Sequence, residues 1–117
     1  MFSRTLLLQA TYLLFAIAGA VFPTLANIDF MMQYGASFDL VKFIELANIN
    51  PAAVSLSRDL LISSSCLIVW IFVESKRLKI KNTWIVFLGT FTISFAFSAP
   101  LFLFLRERRL LEIDNSD

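Results

Sequence analysis

Asp59 directly follows Arg58 at the head of the apolar run 60–73, and Glu74 closes that run three residues before Arg77. An ionisable group in or beside an apolar helix is costly without a partner or water. Each of these groups is therefore either a binding or proton-handling site or half of a buried ion pair. On a helix, Ser55, Asp59, Ser63, Cys66 and Trp70 share one face, which is expected to look into a bundle. Neighbours such as Arg58 and Asp59 point about 100° apart and need separate partners; Asn48, Asn50 and the basic group after Leu105 are the candidates. Glu74 lies fifteen residues beyond Asp59, about 22 Å along a helix, too far for paired-carboxylate chemistry. Pairing with Arg77 at i, i+3 is the expected role. The candidate polar residues, structural or functional, are Asn50, Arg58, Asp59, Glu74, Arg77 and Arg106. The structural role is preferred, because a lone pair of charges is weak evidence for function.

Other chemistry is thinly represented. Histidine is absent, which removes His-dependent triads, His-containing zinc sites and imidazole ligation of haem. The run Ser63-Ser64-Ser65 has no base near it, and its hydroxyls are expected to bond back to their own helix. Cys66, the one cysteine, permits no intramolecular disulfide and is expected to be buried, inert packing. A net charge of +1 provides no field for nucleic acid. The sequence points to no enzyme, and to no catalytic, cofactor or metal-binding residues.

The elements that must position these residues follow from hydrophobicity. Of 117 residues 58% are hydrophobic and 16% charged, against roughly 25% charged in soluble domains. A globule this small could not bury so much apolar surface, so lipid is the expected solvent and the fold class all-α, integral membrane. Three transmembrane helices are predicted, over about 5–22, 51–75 and 83–106, in a single transmembrane domain. The first stops at Pro23 and carries a small-residue face of Ala16, Gly19 and Ala20. The second starts at Asn50-Pro51, an N-cap followed by proline at the first helical position. In the third, Trp84 anchors one end, Arg106, Glu107, Arg108 and Arg109 close the other, and Pro100 predicts a bend near 96–100. Its Thr90, Ser94 and Ser98 form a polar stripe facing protein, with Ser94 or Ser98 satisfying groups that the proline frees. A short amphipathic interfacial helix is predicted over about 38–48.

Three crossings put the amino terminus and the basic turn 75–82 on one side, and Arg106, Arg108 and Arg109 on the other. The basic residues nearly balance, and the dense turn favours a cytoplasmic amino terminus with the carboxyl terminus outside. The first stretch is expected to stay uncleaved, since it is long for a signal core and Thr24-Leu25-Ala26 is a poor cleavage site.

Several motifs occur in a recurring order: Gly19 with Pro23, Phe38-Asp39-Leu40, Asn50-Pro51-Ala52-Ala53, Asp59-Leu60-Leu61, Glu74 with Arg77, Trp84, Pro100-Leu101-Phe102-Leu103 and Arg106-Glu107-Arg108. In these the chain resembles a family of small three-helix bacterial, largely cyanobacterial, membrane proteins known as a domain of unknown function. The resemblance implies a bacterial plasma or thylakoid membrane protein with Asp59, Glu74 and Arg106 at typical positions, and it supplies no activity. The expected function is a non-enzymatic accessory, assembly or stabilising subunit of a larger membrane complex, with the bilayer and other subunits as partners. The alternative is a small transporter or a lipid- or isoprenoid-pathway enzyme using Asp59 in an intramembrane pocket.

Overall fold

A computed structural model describes residues 2–35 and 38–116, with the side chains of 2–4 and 116 left aside; the side chain of Arg4, the basic residue of the amino terminus that the topology expectation includes, lies outside the described residues. The described residues form five helices and no strands: α1 (Phe2–Tyr34), α2 (Leu40–Ala47), α3 (Pro51–Leu78), α4 (Thr83–Thr92) and α5 (Phe95–Ser116). Two of them, over Thr5–Tyr34 and Pro51–Leu78, are long and apolar enough to cross a membrane.

The third predicted span is not one helix. Thr90 Oγ1 donates to Ser98 Oγ at 2.7 Å, and Val86 and Phe102 share a buried cluster with Ile71. In a straight helix the first pair would stand about 12 Å apart and the second about 24 Å. The chain instead reverses at Ile93–Ser94, and α4 and α5 form an antiparallel helical hairpin. Ser94 makes the turn. Its hydroxyl accepts the N–H of Phe97 at 3.1 Å, capping α5, and donates to the carbonyl of Gly19 in α1 at 2.6 Å. The break thus falls just before the bend predicted near 96–100, nearly two turns ahead of Pro100, and Pro100 rides inside α5.

Proline explains why α1 and α5 meet where they do. A proline at position i has no N–H for the carbonyl of i−4. Pro23 sits inside α1, which does not stop there as predicted but continues to Tyr34. It leaves the Gly19 carbonyl without its helical donor, and this is the oxygen that accepts the Ser94 hydroxyl. Pro100 likewise frees the carbonyl of Ala96, and that carbonyl lies against Gly19 so closely that a Cβ on the glycine would overlap it and approach the Phe97 nitrogen to 2.6 Å. Each freed carbonyl therefore sits at the crossing of α1 and α5. The small face expected on α1 is the one used: Ala16 is 1% exposed and Gly19 is buried. The half-buried stripe runs back from Gly19 through Ala16, Tyr12, Leu8 and Thr5. Covered by α5, which starts at Gly19, it makes the two helices antiparallel.

α5 is the hub, packing against α1, α4 and the end of α3. Buried residues of α3 are confined to its last turns, at Ile71, Glu74, Ser75 and Leu78. Its start is as predicted, with Asn50 Oδ1 accepting the N–H of Ala53 at 2.8 Å and Pro51 following. Its end is a Schellman turn: Ile80 N–H bonds to Ser75 O at 2.9 Å, and Lys79 takes the left-handed conformation at φ 54°. α2 falls inside the predicted interfacial segment, capped by Asp39, whose Oδ1 accepts the Lys42 N–H at 3.1 Å. Phe38 and Phe43 pack on Phe30 of α1, with ring centroids 5.2 and 5.3 Å apart. Ser57 Oγ donates to Ala47 O at 2.7 Å and ties α2 to α3.

Candidate functional site

Glu74, Arg77 and Arg106 come together. Glu74 is one turn from the end of α3, and its side chain is 7% exposed. Arg77, on the same face one turn later, donates through Nε to Oε1 at 2.7 Å and through Nη2 to Oε2 at 2.9 Å. Arg106, on α5, donates through Nε to Oε2 at 2.6 Å. The hairpin makes this contact possible, because it returns α5 to the end of α3 that a continuous third span would have carried away from it. The Arg106 guanidinium also lies 5.7 Å from the Trp70 ring centroid, and Trp70 stands edge-on to Phe102 at 5.5 Å. Both carboxylate oxygens are committed to guanidiniums, so Glu74 acts as a tie between α3 and α5 with a net charge of one cation.

The same end of the molecule holds further basic groups. Arg109 donates through Nε to the Leu78 carbonyl at 2.7 Å and pairs with Glu112 at 3.1 Å, so it caps the carboxyl end of α3 from the neighbouring helix. Beside it is a cleft of about 470 Å³ lined by Lys79, Lys81, Asn82, Arg108, Arg109 and Glu112, with Ile80 and Leu105 as apolar lining.

The other candidates are elsewhere. Asn50 is the helix cap already described. Arg58 and Asp59 are exposed on α3, far from the cluster, and neither forms an ion pair among those described. The partner suggested for Asp59 in the basic group after Leu105 is at the wrong end of the helix, because Arg106 meets Glu74. The face of Ser55, Asp59, Ser63, Cys66 and Trp70 meets the bundle only at its last member: Trp70 lies against Phe102 and Arg106, while Ser55, Asp59 and Ser63 are exposed. Cys66 is exposed as well, not buried. The turn 75–82 and Arg106–Arg109, assigned above to opposite sides, share one end.

Sequence reasoning found Glu74 and Arg77 from their spacing and singled out the Arg106–Arg109 group, but missed that this group meets Glu74, the Leu78 carbonyl and the cleft. The signal was present in the basic groups at 76–81 and 106–109, but only a reversal between them brings them together. Thr90 and Ser98 were expected to face protein, and Ser98 is fully buried. Among the described residues no group of three or more Asp, Glu or Cys side chains is placed to hold a metal ion.

Neither a curated protein nor a solved structure matches the chain. A family model matches residues 11–108, spanning both long helices, the Glu74 cluster and the hairpin. The chain therefore belongs to the family described as protein of unknown function DUF2834.

Proposed function

We propose that the chain is an integral membrane protein with two spanning helices, α1 and α3, and a hairpin of α4 and α5 that enters from one side. In this reading it is a non-enzymatic accessory, assembly or stabilising subunit of a larger complex in a bacterial plasma or thylakoid membrane. The observation that carries it is the outer face of α3. With Glu74 at the basic face of the membrane, where the apolar run 60–73 ends, Asp59 stands about 22 Å further along the helix, short of the far face of the roughly 30 Å of hydrocarbon and so inside it. Glu74 has its two arginines; Asp59 is exposed and outside every described ion pair. A carboxylate at that depth needs a donor from another chain. The neighbouring Ser55 and Ser63 add a small polar stripe on which a foreign helix packs closely. Asp59 does not line the cleft beside Arg109.

The basic end of the molecule, holding Lys76, Arg77, Lys79, Lys81, Arg106, Arg108 and Arg109, is assigned to the cytoplasm by the positive-inside rule, against Lys42 and Arg58 near the other end. Both termini are then cytoplasmic. A cytoplasm-only reporter should be active at either end, and silence at the carboxyl terminus alone would overturn the arrangement. For the complex, the tagged protein is extracted from native membranes in mild detergent and sized. The wild type should migrate within a larger assembly and Asp59→Leu should run free; a wild type that runs as a lone monomer refutes the subunit role.

A further inference from the structure

We propose that the cleft between the 79–82 turn and α5 is a binding site for the phosphate headgroup of an anionic phospholipid. This rests on the membrane placement above. Lys79, Lys81, Arg108 and Arg109 line the cleft with one carboxylate, Glu112. Glu112 is paired with Arg109, whose Nε is also held by the Leu78 carbonyl. Lys79, Lys81 and Arg108 form no ion pair among those described. Three cations are thus held around one concavity with no counter-charge of their own, an arrangement that a phosphate group neutralises.

The backbone sets their positions. The left-handed residues Lys79 and Asn82, at φ 54° and 67°, fold the turn tightly enough to put Lys79 and Lys81 opposite Arg108, and Arg108 lies 5.9 Å from the Phe104 ring on its own helix. The depth is that of headgroups. The cleft begins where the apolar part of α3 ends, and Trp84, 64% exposed in the first turn of α4, marks the interfacial belt. Ile80 and Leu105, which back onto the core cluster of Ile71, Val86 and Phe102, give the cleft an apolar edge that the first carbons of a lipid's acyl chains would cover. A free phosphate would satisfy the cations but leave that lining uncovered, so the lipid is the preferred source.

The test uses the full chain in neutral detergent, titrated with phosphatidylglycerol, phosphatidylcholine or inorganic phosphate and read by native mass spectrometry. Flotation with phosphatidylcholine vesicles is run first. Phosphatidylglycerol should bind at least tenfold more tightly than phosphatidylcholine, with inorganic phosphate failing to compete at millimolar concentration. Each of Lys81→Gln, Arg108→Gln and Lys79→Asn, the last chosen because asparagine tolerates the left-handed turn, should weaken phosphatidylglycerol binding about fivefold. Lys76→Gln, at the same end but outside the cleft, should change it less than twofold. Equal loss from Lys76→Gln would mean diffuse attraction to a charged end and overturn the site. Full competition by inorganic phosphate would overturn the lipid as its source. A chain that floats with vesicles yet shows no lipid preference refutes the site alone, whereas one that fails to float refutes the membrane placement itself.

Discussion

Replacing Glu74 with alanine removes the carboxylate that pairs α3 with Arg106 of α5, and the structure sets the size of the effect. Cutting one partner from a fully buried pair costs about 3–5 kcal/mol, mostly through the charge left behind. Here the charges left behind are not fully buried. The Arg77 side chain is 60% exposed and hydrates freely, and that of Arg106 is 27% exposed and keeps its position over Trp70. The expected destabilisation from Glu74→Ala is therefore about 2 kcal/mol, below the buried limit, a shift of about thirtyfold in the folding equilibrium. Arg106→Ala should cost nearly as much, since it strands a carboxylate whose remaining partner is a solvated arginine, whereas Arg77→Ala should cost clearly less than either. Glu74→Leu combined with Arg106→Leu should recover most of the loss, because two apolar side chains of similar volume remove both charges together. Reversible unfolding in a mild detergent with increasing denaturing surfactant measures all four. A Glu74→Ala chain as stable as the wild type, or an Arg77→Ala chain less stable than Arg106→Ala, would refute the argument that the contact between helices is the one that matters.

Three more outcomes follow from the crossing of α1 with the hairpin. Gly19→Ala should destabilise the fold by more than about 2 kcal/mol in the same assay, because the new Cβ meets backbone and not a side chain that can turn aside. Ser94→Ala loses the α5 cap and the hydroxyl that donates to the Gly19 carbonyl and should cost about 1–3 kcal/mol. With Cys66→Ala as background, Thr90→Cys together with Ser98→Cys should form a disulfide under mild oxidation, seen by mass spectrometry as a loss of two hydrogens, because the native hydroxyls are 2.7 Å apart. Persistent free thiols would favour one continuous helix.

What could be read from the sequence was set by local forces, and what could not was set by distant ones. The start of α3 follows from Asn50 and Pro51 alone, and the Glu74–Arg77 contact follows from i, i+3 spacing. α2 was legible from its alternation of apolar and charged faces. The hairpin was not. Residues 84–105 are almost continuously apolar, and neither Ile93 nor Ser94 is a breaker in the way glycine or proline would be. The break is made by the Gly19 carbonyl, 75 positions away, which binds the Ser94 hydroxyl. Pro23 and Pro100 misled for a related reason. Each was read for its effect on its own helix, as a stop or a bend, when its larger effect is to free a carbonyl at i−4 for a contact between helices. Asp59 was expected to find its partner inside the chain because a buried charge must have one. The same rule, applied to an α3 whose outer face is bare, points outside the chain.

The hairpin also gives the molecule unequal ends. α4 has ten residues, about 15 Å of helix, so its reversal falls near the middle of α1, beside Gly19. On the basic side of that level four helical rods stand side by side; beyond it only α1 and α3 continue, bridged at the tip by α2. In a bilayer such a taper displaces more lipid from one leaflet than from the other. In the proposed membrane placement, a body of that wedge shape would sit most comfortably where the bilayer curves around its broader end, so geometry as well as any partner would shape where it resides.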